Sequence, residues 1–451
     1  MIASLNTRDA PTISYGELLK GSAKGTVSQR VYQPEGGFVA VGQSSTVVRI
    51  PVASNDSALD TRRSNLRIKL NVTAAGNPVY LDTSVYSVIK NLRVLTAAGT
   101  PIETITEYGL LSNHLLQTVM DKQAFPSQAV KIGTTSNTNI IGAAVAADSV
   151  AQYNNVLNLN ESSFAVGATS RTYNAPIICS GFMQMSNENV NGVYQPLPLI
   201  NGGYVIELTL ADPGDAFKCP AAAAGTCTYT AEISYVATLV TPDDRNIWAE
   251  KKAALQQLGM TGQKLMMSSF SYQNQIFYTA STNNALMLGV RARSIKSLLA
   301  FARPTAAIGA FTSHKVASDV GAANAPSNGY VAIAGVNFPN VPLQTFGDFA
   351  VNYEQAVGKP LAGLVDGFSW DSGNTSFVDS RAHGTWAFGL DLESFADGKN
   401  VMESGYDTSS QSLPITLYLN TGNANARQFL TYAHFDQILM IDGNGQLSAS
   451  Y

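Results

Sequence analysis

The feature that most constrains the fold is a two-residue alternation of apolar and polar side chains. Successive side chains of a β-strand point to opposite faces, so the pattern predicts strands with one buried face. Gly, Asn, Pro and Ser clusters separate these stretches, and one-sided antiparallel strands build sandwiches and jelly rolls. We therefore predict an all-β fold. The alternating stretches are 66–72, 204–210, 228–239, 386–393 and 413–419, with Asp-Gly turns at Asp397-Gly398 and Asp442-Gly443.

Only three segments predict helices, and each has its own start signal. Ser, Thr, Asp or Asn before a helical repeat satisfies the free N–H groups of the first turn, and Gly or Pro ends the helix. The first predicted helix is 105–119, after a capping box of Thr104 and Glu107. The second follows Thr241-Pro242-Asp243-Asp244, runs through Trp248 and stops at Gly259. The third is capped by Thr345 with Asp348 and is ended by Gly358 and Pro360.

The second of these helices lies near the centre of the chain, and we interpret it as a connector between two β domains. A chain of 451 residues with 45% hydrophobic content is ample for two cores of about 200 residues each. The predicted organisation is an N-terminal arm at 1–40, a first domain at 41–240, a linker helix at 241–262 and a second domain at 263–451. Similar segments at 87–92 and 294–298 suggest internal duplication.

The chain has few charges, which restricts its partners. Charged residues make up 13% of the sequence and the formal net charge is −4. A charge-poor surface suits burial against neighbours, although a secreted β-rich protein with a polar face has a similar composition. Residues 1–40 carry nearly balanced charge and form no basic arm, so we expect no direct nucleic-acid binding.

Targeting signals and cysteine usage predict a protein made inside the cell and not secreted. The N-terminus lacks a signal peptide, and no apolar run is long enough for a transmembrane helix. Cys179, Cys219 and Cys227 form no metal-binding spacing, and free thiols are the preferred interpretation. A disulfide between Cys219 and Cys227 is the alternative.

The motifs that usually carry enzyme chemistry are missing from the sequence, which has no zinc-binding histidine pair, phosphate-binding loop or nucleophile elbow. Two polar pairs and one loop are weak candidates, and for each a structural role is the stronger interpretation: a surface or interface pair, the polar face of a strand, and a hairpin turn. They are His434 with Asp436, Asp391 with Glu393, and the calcium-loop-like 442–445. We predict no enzyme and no catalytic, cofactor-binding or metal site, and no cofactor.

Three stretches resemble the double jelly-roll major capsid proteins of eukaryotic DNA viruses. The resemblance is nearest to the polinton-like virus and virophage group and more distant to the nucleocytoplasmic large DNA viruses. In this family a strand, a Gly turn and a helix opening follow one another in the first roll, a similar strand recurs in the second, and a third pattern lies near the C-terminus. The stretches that carry these features are 86–95 with 99–108, 292–301, and 386–394 with 405–408 and 414–415.

The resemblance implies two eight-stranded antiparallel jelly rolls in tandem with a few short helices. It also implies a structural role, in which homotrimers of pseudo-hexameric outline are the capsomers of an icosahedral virion. The implied partners are further copies of the chain, neighbouring capsomers, penton and minor capsid proteins, and an internal membrane contacted through residues 1–40. At 451 residues the chain is short for the large-virus members, which favours the smaller relatives.

Two other functions remain as alternatives. A carbohydrate-binding or carbohydrate-active jelly-roll protein would need an export signal and a cleft with paired carboxylates or exposed tryptophans. The three tryptophans, Trp248, Trp370 and Trp386, are instead scattered along the chain. An RNA-virus coat protein would be favoured by a basic arm, which the sequence lacks.

Overall fold

The computed structural model consists mainly of antiparallel strands. It describes residues 25–37, 39–119, 128, 130–133, 163–186, 193–219, 225–244, 246–311, 326–358, 386–393, 404–409 and 414–451.

The first half contains two four-stranded paths whose inward side chains share one core. Its strands are β1 (Gly25–Tyr32), β2 (Ala40–Val41), β3 (Val47–Val52), β4 (Ala58–Ala75), β5 (Val79–Leu81), β6 (Ile89–Thr96), β7 (Pro101–Ile105), β8 (Ser163–Phe164), β9 (Gly167–Ala175), β10 (Tyr204–Leu210), β11 (Phe217–Lys218) and β12 (Thr226–Pro242). The two paths have the orders β1-β12-β4-β9 and β3-β10-β6-β7. Three short strands make a third small sheet, in the order β11-β5-β8, and β2 adds to β12.

The second half repeats this arrangement with fewer additions. Its strands are β13 (Leu265–Thr279), β14 (Asn283–Leu288), β15 (Ile295–Pro304), β16 (Pro326–Ile333), β17 (Val336–Leu343), β18 (Ala387–Asp391), β19 (Ile415–Thr421), β20 (Arg427–Ile441) and β21 (Leu447–Ser450). The two paths are β13-β20-β15-β18 and β14-β19-β16-β17, and β21 adds to β20.

The two halves have the same topology. Leaving out β2, β5, β8, β11 and β21, each half has eight strands, which we number first to eighth in chain order. In both halves one sheet then has the order 1-8-3-6 and the other 2-7-4-5. Eight antiparallel strands in two facing sheets form a jelly roll. The chain is therefore a double jelly roll, as predicted, and we call the halves the first and second rolls.

Four α-helices have both ends within the described part of the chain. They are α1 (Tyr108–Val119), α2 (Pro213–Ala216), α3 (Ile247–Met260) and α4 (Phe346–Ala356). In chain order, α1 and α4 both lie between the fifth and sixth strands of their rolls, and α3 connects the rolls. The capping box predicted for α4 is confirmed, because the Thr345 hydroxyl accepts from the Asp348 N–H and the Asp348 carboxylate accepts from the Thr345 N–H.

The predicted starts of the other two long helices are wrong. Thr104 lies in β7 opposite Arg93, and Glu107 adopts a left-handed backbone with φ of 50°, so α1 begins only at Tyr108. Strand pairing has overridden the local capping signal. Thr241 and Pro242 likewise lie in β12, paired with β1, and α3 begins after Asn246 and ends at Met260, one residue past the predicted stop.

Two further interpretations of the sequence need correction. Residues 25–32 were assigned to an N-terminal arm, but they form β1 and pair with β12 along their whole length. Residues 1–24 lie outside the described residues. The similar segments at 87–92 and 294–298 are not equivalent, because the first enters the fourth strand of its roll and the second enters the third. The duplication is supported by topology and not by these segments.

The alternating pattern has the predicted physical basis. In β4, Leu66, Ile68, Leu70 and Val72 are buried while Arg67 between them is exposed. Burying one such aliphatic side chain contributes about 1.5–3 kcal/mol, so each strand face anchors its sheet. The Asp442 segment is a hairpin turn between β20 and β21, in which the carboxylate accepts from the N–H groups of Asn444 and Gln446. Leu413 and the Asp397-Gly398 pair lie outside the described residues.

Candidate functional site: the interface between the two rolls

The two rolls are joined through a continuous apolar core. In β15 and β20, one set of side chains lines the core of the second roll, including Leu298, Ala300 and Phe429. The alternate side chains, Leu299, Phe301, Leu430 and Tyr432, belong to the same cluster as the core of the first roll. This sheet is therefore buried on both faces, as in the interior of a single domain.

The fifth strand of the first roll forms the seam of this interface. β7 packs against β13 and β21 of the second roll. The contact is not a strand ladder, because β13 pairs with β20 and β7 pairs with β6. It depends instead on side chains that occupy the space between two sheets.

An aromatic group fixes α1 to the second roll. The His114 ring stacks on Phe301 with centroids 4.1 Å apart, and its Nε2 lies 2.6 Å from the Tyr353 hydroxyl of α4. Complete burial lowers the pKa of His114 to about 3. The imidazole is therefore neutral at physiological pH, and it serves here as a flat ring with a hydrogen-bonding edge.

Side chains of the second roll also satisfy backbone carbonyls at the edge of the first. The Tyr432 hydroxyl donates to the Glu107 carbonyl at 3.1 Å, and Gln437 Nε2 donates to the Ile102 carbonyl at 2.8 Å. Asn274 Nδ2 donates to the Thr106 carbonyl at 3.2 Å. Unpaired polar groups of a buried edge cost free energy, so these three bonds allow β7 and the turn that follows it to be covered.

A buried acid lies within the same seam. Glu103 of β7 accepts hydrogen bonds from the Ser180 hydroxyl, from the Gly181 N–H at 3.2 Å and from Ser271 of β13. Burial raises the pKa of Glu103 to about 7, although these bonds oppose the shift. Gly181 is required for the close approach, because a Cβ there would lie 2.0 Å from the Phe270 carbonyl oxygen.

A small cavity lies where the rolls meet, and two of its charged groups, Arg303 and Asp215, hold the rolls together. Its lining includes Lys90, Glu107, Asp215 and Arg303. Arg303 donates to Gln428 at 2.5 Å and lies 3.7 Å from the Asp215 carboxylate, which also accepts from the Gly309 N–H. These contacts hold α2 of the first roll to β15 of the second roll and to the turn that follows β15.

The predicted weak candidates for catalysis have separate structural partners. His434 stacks on Tyr272 with centroids 4.7 Å apart, whereas Asp436 accepts from Ser294 at 2.7 Å and lies 3.2 Å from Lys296 Nζ. The Glu393 carboxylate lies 3.1 Å from the same ammonium.

The remaining carboxylate of these candidates, Asp391, accepts from the Glu393 N–H at 3.0 Å. Burial raises its pKa above the ordinary value. Glu393 and Asp436 therefore belong to an ion-pair network around Lys296, and Asp391 is joined to it through the Glu393 backbone. Trp248 and Trp386 are buried, so neither presents a ring face to a sugar, and Trp370 lies outside the described residues.

The described residues contain neither a metal-binding cluster nor a membrane-spanning helix. No group of three or more His, Cys, Asp or Glu side chains in them could hold a metal ion. None of the described helices is long and apolar enough to cross a membrane. The three cysteines are buried free thiols, so the alternative of a disulfide between Cys219 and Cys227 is wrong.

The sequence analysis identifies neither His114 nor Glu103 as a residue of this interface. One signal was present in the sequence: Glu103 sits between apolar Ile102 and Ile105 in a five-residue strand. Its partners Ser180 and Ser271 are distant in the chain, however, and no local pattern connects them.

Comparison with solved structures shows the same fold over nearly the whole chain. Three similar structures are the Faustovirus major capsid protein, PBCV-1 VP54 fitted into a reconstruction of the virophage Sputnik, and the PBCV-1 virus capsid. Their identities to this chain are 9%, 12% and 13%, with TM-scores of 0.56, 0.53 and 0.52. The matches cover 98%, 95% and 95% of this chain and 94%, 97% and 97% of those chains. No protein-family model matches the chain, and no curated protein sequence matches it.

Proposed function

We propose that this chain is the major capsid protein of an icosahedral DNA virus, a structural protein and not an enzyme. The observation that carries the proposal is the fusion of two rolls with identical strand order into one block. The capsid proteins named above match that block from end to end. Sandwiches have rigid walls, and their end loops can change without disturbing the core.

In this proposal three chains form a homotrimer of pseudo-hexameric outline, which is the capsomer. Two similar rolls per chain let threefold symmetry present six similar sides. Tiling then needs only contacts between like capsomers. The low charge content supports this arrangement, because large contact areas are formed without burying unpaired ions.

The partners and location follow from that role. The chain would assemble inside the host cell with further copies of itself, and with penton and minor capsid proteins, into the virion shell. Contact with an internal membrane, which the resemblance implies for residues 1–40, is proposed for residues 1–24, because residues 25–32 form β1. The carbohydrate-active alternative is not favoured, since the Asp391 and Glu393 carboxylates and the two described tryptophans have structural roles.

The test is the mass and shape of the purified full-length chain. Light scattering should give three chain masses of 47.8 kDa each, and negative-stain images of the same peak should show hexagonal particles or shells. Hexagonal particles of a different mass would contradict the trimer. A chain that remains monomeric at assembly concentrations and binds a glycan in an array screen would overturn the capsid role.

A further inference from the structure

The interface within the chain provides a template for contacts between chains. Within the chain, the fifth strand of one roll, β7, packs against the first strand of the next roll, β13. Each roll has a first and a fifth strand, and two of these four strands take no part in this contact. They are the fifth strand of the second roll, β17, and the first strand of the first roll, β1. Each is an edge strand in the described structure, since β1 pairs with β12 and β17 with β16.

Both β1 and β17 expose apolar side chains that nothing in the described part of the chain covers. In β1, every residue from Gly25 to Val31 is exposed, with Val27 at 57% and Val31 at 46%. In β17, Val336 is 51% and Val341 is 75% exposed. Uncovered apolar edge strands favour association, so such strands mark an interaction surface.

The two surfaces are compatible in charge. β17 has the sequence VNFPNVPL and carries no charge. β1 has the sequence GTVSQRVY and carries one charge, Arg30, whose guanidinium lies over the Tyr32 ring at 5.0 Å. Arg30 and Tyr32 lie on the opposite face of β1 from Val27 and Val31, so a contact made through the valines would bury apolar and neutral polar groups and leave the guanidinium outside it.

The backbone of β17 also restricts the type of contact. Pro339 and Pro342 have no N–H, so this strand is a poor template for extending a sheet by hydrogen bonds. β17 can still pack against another strand through its side chains. The contact of β7 with β13 inside the chain is of that same kind, since the two strands do not share a ladder.

We propose that β17 of one chain packs against β1 of a second copy, repeating between chains the contact that β7 makes with β13 within the chain. The inference rests on the proposed capsomer and names the surfaces that close it. Each chain offers one β17 and one β1, and such head-to-tail contacts form a closed ring when the rotation between copies closes. Three chains would then form a ring of six rolls.

The contact between chains is expected to be weaker than the one within the chain. Inside the chain, the outer face of β15 and β20 buries four apolar side chains against the first roll, Leu299, Phe301, Leu430 and Tyr432. The equivalent outer face of the first roll, on β4 and β12, is polar and carries the Lys69–Glu232 ion pair at 2.9 Å. A chain can therefore expose this face in water and fold before it meets its partners.

The test is site-directed crosslinking of the full-length chain. The double variant Val31→Cys/Val341→Cys, treated with a short bis-maleimide, should give covalent dimers and trimers on a denaturing gel. The three native cysteines are buried, so they do not compete. The matched control is Val31→Cys/Met287→Cys, since Met287 is 64% exposed but lies on β14. It should give no covalent trimer.

A second set of variants tests the surface without added cysteines. Val27→Asp and Val341→Asp replace exposed side chains, so the melting of the isolated chain should not change. Each should weaken the trimer at least tenfold in light scattering, whereas Met287→Asp should leave it unchanged.

The two proposals fail in different ways. A wild-type trimer that gives no β1–β17 crosslink and tolerates both aspartates would overturn this inference and leave the capsid role intact. A wild-type chain that forms no trimer would count against the proposed capsomer itself.

Discussion

Among single residues, Glu103 shows how strongly burial in the interface changes the pKa of a side chain. Its carboxyl lies between the rolls, where burial raises its pKa from 4.5 to about 7. The folded protein therefore holds this proton more tightly than the unfolded chain does. The stability contributed by the group is fully present below pH 4.5 and is lost as the pH rises through 7.

Glu103→Gln should remove the loss of folding stability that wild type shows as the pH rises. The amide keeps an oxygen for the Gly181 N–H and cannot ionise, so relative to wild type the variant should gain about 2–3 kcal/mol between pH 5 and pH 8. Denaturant unfolding at the two pH values measures the difference.

The matched control is Glu232→Gln. Glu232 is on the surface, and its hydrogen bond from Lys69 lowers its pKa, so its titration lies below this pH range. Parallel stability curves for wild type and Glu103→Gln would contradict the assignment.

Among the secondary-structure elements, the two helices that follow the fifth strands differ in how they begin. α4 starts with a capping box of Thr345 and Asp348, which is fixed by local sequence. α1 starts after a left-handed Glu107, whose N–H donates to Asn91 Oδ1 at 3.1 Å. The same sequence signal therefore produced a cap in one roll and a strand residue in the other.

Substitution of the two threonines should separate these cases. Thr345→Ala removes a cap and should cost about 1 kcal/mol of unfolding free energy. Thr104→Ala alters an exposed side chain in β7 and should change stability by about 0.5 kcal/mol or less. Denaturant melts of both variants give the comparison, and equal losses would show that Thr345 has no special role.

For the whole molecule, the shared core predicts that the two rolls unfold together. Phe301 lies between His114 of the first roll and Tyr432 of the second, with ring centroids at 4.1 and 5.8 Å. Phe301→Ala should cost about 3–5 kcal/mol. Because the loss lies in the interface, calorimetry should show one transition for wild type and two for the variant.

A residue in the core of the second roll provides the control. Phe388 packs with Phe349 inside that roll, away from the interface. Phe388→Ala should lower the melting temperature and keep one transition. Two transitions in the wild-type protein would show that the interface does not couple the rolls.

Three features could be predicted from the amino-acid sequence: the strand-rich fold class, the inward residues of strands such as β4, and the cap of α4. These features were predictable because each depends on residues only a few positions apart, through side-chain alternation or a single turn of helix. The resemblance of a few stretches to known capsid proteins added the tandem arrangement, which the strand order confirms.

Three other features depend on tertiary contacts: residues 25–32 form a strand, α1 begins at Tyr108, and the similar segments occupy different strands. The interface depends on them as well. His114 meets Tyr353 across 239 positions, and Glu103 meets Ser180 across 77. Pairing partners, burial and the resulting pKa depend on which distant strands are brought together, and that is set by the packing of whole sheets and not by local sequence.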